Sequence, residues 1–153
     1  MTVLPTKYSI GNKVYDRDLS TDLYIDKGDI NSSIVNHAQQ FAWYATAYEL
    51  CTLHESRAKD ALEELEARLD HAIRMEADGA NVKMTETKVK NTVLTRSEYK
   101  EALEAYRTAQ LNAGLAKSAR DAMVHRKDML VTLGANYRAE GNSDVTLRTQ
   151  QLK

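Results

Sequence analysis

The side chains that could carry covalent or metal chemistry are few in this chain and stand far apart. Histidine occurs at His37, His54, His71 and His125, and Cys51 is the single cysteine. On one helix His54 and His71 would be about 25 Å apart, too far to share a metal. Cys51 sits among apolar neighbours, where a buried and inert thiol is expected. Asp16, Asp18, Asp22 and Asp26 could hold a hard cation, but their spacing matches no ordered calcium loop. Glu63, Glu64 and Glu66 read as a solvated helix face. No glycine-rich phosphate loop, His-Glu-x-x-His helix or Gly-x-Ser-x-Gly elbow is present. The expectation is a binding protein with no catalytic residue, no metal and no cofactor.

The basic side chains are better placed for chemistry of another kind, the holding of phosphate. Such binding needs ammonium and guanidinium groups on one face, ideally beside aromatics on which bases stack. On a helical wheel His54, Arg57, Arg68 and His71 fall within about a quarter turn, though Glu64 shares the sector. Lys83, Lys88, Lys90 and Arg96 follow in a segment whose one acid is Glu86. Further on, Lys117, Arg120 and Lys127 form a stripe with Arg126 adjacent. An ordinary solvated face would present the same residues.

Charge is divided along the chain, although the net value is only −1. Glu49 to Asp78 carries nine acids and four bases, net −5, whereas Lys83 to Arg138 carries eleven bases and six acids, net +5. The two halves can attract each other within a hairpin or between subunits. This division argues against a simple basic nucleic-acid binder.

The elements that must position these groups are helices. Pro5 is the one proline, and no glycine falls between Gly28 and Gly79. Residues 1–28 are expected to form an extended or irregular arm, with a turn at Gly11-Asn12. A long helix should start near Asp29 to Ser33, where side-chain oxygens can cap it. Its stripe runs through Ile34, Ala38, Phe41, Ala45 and Tyr48, then Leu62, Leu65, Leu69 and Ala72, with coiled-coil steps of three and four. Gly79 is the expected stop. A short helix over about Thr85 to Leu94 follows, and Thr95-x-x-Glu98 marks the next start as a capping box. That last helix, with small residues Ala113, Ala116 and Ala119 for close packing, should stop at Gly134. Residues 139–153 are expected to be a flexible polar tail. The predicted fold is thus all-α: an arm (1–28), a long helical hairpin with a short connecting helix (29–138) and a tail, assembling into a homo-oligomer. Phe41, Trp43, Tyr44 and Tyr48 are candidate interface anchors, with intrachain core an equal reading. The lone cysteine fits a reducing compartment, and no stretch has the apolar length of a membrane helix. A cytoplasmic protein without membrane contact is expected.

Several short segments, taken in order, resemble the UvsY-type phage recombination mediator family. Asp22-Leu23-Tyr24-Ile25-Asp26 resembles that family's Asp-aliphatic-aromatic-Ile-Asp element before the first long helix. Glu66-Ala67-Arg68-Leu69-Asp70-His71 is similar to its Lys-Ala-Arg-Leu-Asp-Tyr segment, which is associated with single-stranded DNA. Lys83 through Asn91-Thr92-Val93-Leu94 resembles the stretch after its loop, and Asp121-Ala122-Met123 with Arg126 its last helix. The likeness covers roughly residues 20–138. It departs at Glu66, where the family has lysine, so only Arg68 carries over as a contact at that motif; the basic load can have moved to Arg57 or to Lys83–Lys90.

The resemblance implies a ring-like homo-oligomer in the host-cell cytoplasm that binds single-stranded DNA. It would help a RecA-like recombinase displace single-stranded-DNA-binding protein. Its DNA contacts would be Arg57, Arg68, Lys83, Lys88, Lys90, Arg126 and Lys127. Two other functions remain open: a structural or adaptor coiled-coil protein of a phage without nucleic-acid binding, and an inhibitor whose acidic Glu49–Asp78 face imitates DNA.

Overall fold

The computed structural model describes residues 5–10 and 13–151, with side chains described over 13–141. The chain is mostly helical. Strands β1 (Pro5–Ile10) and β2 (Lys13–Asp18) form a two-stranded sheet, followed by helices α1 (Leu19–Leu23), α2 (Ile30–Gly79), α3 (Glu86–Thr95) and α4 (Ser97–Gln151). No helix among the described residues is long and apolar enough to cross a membrane.

The arm is therefore more ordered than its composition predicts, holding a sheet and a short helix; the Gly11-Asn12 turn lies outside the described residues. Asp18 starts α1, its carboxylate accepting from the Ser20 amide at 3.0 Å and from the Ser20 and Thr21 hydroxyls. These bonds hold the Asp18 carboxyl below the usual carboxylate range. Asp29 caps α2 in the same way, accepting from the Ser32 amide at 3.0 Å.

The stop of α2 differs from the expected one. Gly79 is the last helical residue, and Asn81 adopts the left-handed conformation (φ 59°). The Val82 amide donates to the Ala77 carbonyl at 2.9 Å and the Asn81 amide to that of Asp78 at 3.1 Å. This is the Schellman pattern, with asparagine in the place usually held by glycine. The α3–α4 junction also differs in detail. Thr95 is the last residue of α3, its hydroxyl donating back to the Thr92 carbonyl at 2.7 Å, and so does not hold the position before α4 that a capping box requires. Arg96 stands between the helices, its carbonyl accepting from the Lys100 amide. Gly134 does not end α4, which continues to Gln151, so the expected tail is helical over most of its length. One interior glycine costs a helix only about 1 kcal/mol, and the run around it holds good helix formers.

Two compact units divide the chain. In the first, Val14–Tyr48 packs with α4 from Ala116 onward. Its core is Tyr44, Ala119 and Met123, against which Leu19, Leu23, Phe41 and Trp43 pack. In the second, Glu49–Leu115, the core is Ile73, Val89 and Val93, with Leu69, Met84 and Tyr99 against it. Buried alanines line α4 in both: Ala109 and Ala113 in the second unit, Ala116 and Ala119 in the first.

Candidate nucleic-acid interface

In the second unit, α2 carries Arg57 and Arg68 as exposed residues of one continuous helix. Eleven positions apart, they share a face to within about 20°. Lys83 leaves the Schellman turn exposed, and Lys88 and Lys90 are exposed on α3. Two residues along a helix is about 200°, so those two lysines flank the buried Val89 on opposite sides. Lys83 also lines a cleft of about 300 Å³ with Arg74, Asp78 and Met84. Among the described residues, none of these five cations is in an ion pair, whereas Arg74, Arg96 and Arg107 of the same unit all are.

Those pairs decide the local field. Arg74 donates from Nε to Asp70 at 2.7 Å, and from Nη2 to Glu86, also at 2.7 Å. Both bonds raise the Arg74 pKa, and Arg74 in turn lowers that of Asp70. Arg96 reaches Glu76 at 3.0 Å. Glu86 is the one acid between Lys83 and Arg96, and α2's own arginine engages it. The three lysines of that segment are exposed and, among the described residues, in no ion pair. Of the acids near this surface, Asp70, Glu76 and Glu86 are held by Arg74 and Arg96, whereas Glu64 and Glu66 are in no ion pair among the described residues.

In the first unit the site residues behave differently. Arg126 is buried, only 4% exposed, so the expectation of a DNA contact there is corrected. Its guanidinium donates to the Ser33 carbonyl at 3.4 Å, the Tyr24 carbonyl at 3.2 Å and His37 Nδ1 at 3.0 Å. A guanidinium can only donate, so His37 accepts at Nδ1 and, when neutral, carries its proton on Nε2. Desolvation and the charges of Arg126 and Lys127 push the His37 pKa down, while burial lowers that of Arg126. Lys127 is exposed and lies 3.4 Å from Asp128.

The aromatic anchors are also reassigned in part. Tyr44 is fully buried and donates to Asp22 at 2.8 Å, so it belongs to the chain's own core and not to a subunit interface. Trp43 meets Tyr44 edge-on at 4.8 Å and lies under Arg17. Tyr48 lies under the Arg120 guanidinium at 4.3 Å. Phe41 is half-buried beside His37.

No family model, curated protein or solved structure matches this chain. Among the described residues no group of three His, Cys, Asp or Glu side chains could hold a metal ion.

Sequence reasoning missed the polar network that fastens the arm. Asp22, 7% exposed, accepts from Arg17 Nε at 2.6 Å and Nη2 at 3.1 Å, from Gln40 at 3.1 Å and from Tyr44. The signal available was the position of Asp22 directly before the apolar Leu23, in an arm read as extended or irregular. Two of the segments that carry the family resemblance meet here: Arg126 of the last helix bonds the backbone of Tyr24 beside Asp22.

Proposed function

We propose that this chain is a non-enzymatic phage recombination mediator that binds single-stranded DNA through the second unit. Its contacts are Arg57, Arg68, Lys83, Lys88 and Lys90. The observation that carries this reading is that Lys83, Lys88 and Lys90 stand exposed and in no ion pair among the described residues, while Arg74 engages Glu86, the one acid of their segment. The ordered likeness to the UvsY-type family supports the same assignment. In this reading the protein works in the host cytoplasm as a ring-like homo-oligomer. Each subunit's phosphate contacts raise the effective concentration for the next, so weak sites sum to firm binding. A strand held in this way is accessible to a RecA-like recombinase and less so to single-stranded-DNA-binding protein.

The test is fluorescence anisotropy of labelled oligo(dT) across a salt series. Arg68→Ala should weaken binding several-fold, and Glu66→Ala should leave it unchanged or strengthen it. Equal losses would overturn the placement of the contact at this motif. Undetectable binding at low salt by the folded protein would overturn the function and favour a structural or adaptor protein.

A further inference from the structure

The first unit has a groove that the nucleic-acid reading does not use. On α4 it is lined by Val124, Lys127, Val131, Gly134 and Arg138, which follow in steps of three, four, three and four. Across from them α2 contributes Ile34, His37, Ala38 and Phe41. Two clefts, of about 230 and 310 Å³, adjoin along this channel, with His37 and Lys127 in the lining of both. Its apolar walls are open: Ile34 is 46% exposed and Val131 64%. Two helices that present seams at this spacing offer the holes into which a third helix sets its knobs. The α4 seam spans fourteen residues, about 21 Å or four helical turns.

Charge narrows the occupant. Lys127 and Arg138 line the channel, and no carboxylate lines either cleft. Arg138 is in no ion pair among the described residues, and the Lys127 contact with Asp128 is between groups more than half exposed, so it is weak. Where the channel runs on toward the start of α2 it meets Asp29, whose carboxylate is committed to Ser32. The walls are aliphatic apart from Phe41 and His37, so they offer little for bases to stack on. The acidic half of this chain is a poor occupant as well. Between Glu49 and Asp78 its exposed large apolar residues are Leu53 and Met75, too far apart for a four-turn seam.

We propose that this groove docks an amphipathic helix of another protein, apolar at three-four spacing and flanked by carboxylates that meet Lys127 and Arg138. Gly134 is part of the design. A helix interior favours alanine over glycine, and a Cβ here would meet only ordinary contacts at 3.9 Å. The glycine keeps the floor of the channel open.

The probe is a fluorescein-labelled helical peptide of about 15 residues, with leucines at three-four spacing and glutamates on the flanks. It should bind the full chain, and Lys127→Glu with Arg138→Glu should weaken binding at least tenfold. Gly134→Met, which favours the helix yet fills the floor, should do the same, while Gly134→Ala, which adds only a methyl to the floor, should weaken binding by much less. Circular dichroism establishes that each variant is folded. Equal binding of a peptide with lysines for glutamates, competition by oligo(dT), or full binding by Gly134→Met would each overturn the proposal. So would absence of peptide binding, or an assembly of this chain that Gly134→Met dissociates, which would make the groove an interface between copies.

Discussion

Asp22 illustrates how far a side chain's role can depart from its sequence surroundings. In a run of aspartates it reads as one more solvated acid. Folded, it holds Arg17, Gln40 and Tyr44 around a nearly buried carboxylate. Asp22→Ala leaves the Tyr44 hydroxyl and Gln40 amide without that acceptor, and should cost about 2–3 kcal/mol in denaturant unfolding. A loss below about 0.5 kcal/mol would mean that the arm is not fastened there. His37 makes a prediction in pH. Its folded pKa lies below the ordinary imidazole value near 6.5, because burial and two neighbouring cations disfavour the proton. The unfolded chain therefore takes up that proton first as pH falls. The stabilising contribution is complete above about pH 6.5 and is lost progressively below it. The thermal midpoint should fall between pH 7 and 5, and His37→Gln should flatten that part of the profile.

Helix boundaries here are set by which backbone groups find partners, and composition indicates them only in part. Gly79 and Asn81 both lie at the end of α2, and the obvious stop signal is the glycine. The left-handed residue is Asn81, and the space around Gly79 is empty. Gly79→Ala should therefore stabilise the protein by about 0.5–1 kcal/mol, since it removes a glycine from helical backbone. Asn81→Ala should destabilise it by about 1 kcal/mol, because alanine lacks the short polar side chain whose local hydrogen bonding lets asparagine adopt the left-handed region. The opposite signs would restore Gly79 as the stop. The same logic explains α4, where Gly134 was expected to end a helix that has no stereochemical reason to end there. A glycine terminates a helix only when the chain also turns and its last carbonyls find donors.

For the molecule as a whole the proposed function reduces to a count of charges that meet phosphate. Each such contact contributes about 0.7 to the slope of log affinity against log salt for a single strand. The five cations of the second unit then give a slope of about −3.5 per subunit. A homo-oligomer engaging one strand through several subunits should exceed that value, and loss of Arg57 and Arg68 together should reduce it by about 1.4 per subunit. A slope near −1 would mean that most of these cations touch no phosphate. The same assay leaves the peptide groove untouched, because its cations lie in the other unit. The two proposals can therefore fail independently.

The helical class, the long first helix, the short connecting helix and the restart near Glu98 were all legible in the sequence. They follow from local rules: spacing of apolar residues, capping chemistry and the scarcity of proline. The same reading identified the exposed cations Arg57, Arg68, Lys83, Lys88 and Lys90. Whether a given charge is available, however, depends on what the rest of the chain brings beside it. Arg126 belongs to a basic stripe in one dimension and is buried against residues about a hundred positions away in three. Tyr44 is an equal candidate for interface or core until Asp22 and Met123 close over it. Periodicity and caps act over a few residues, so the sequence determines the elements. Burial and ion pairing act between distant segments, so only the tertiary structure decided which cations face solvent and which hold the fold together.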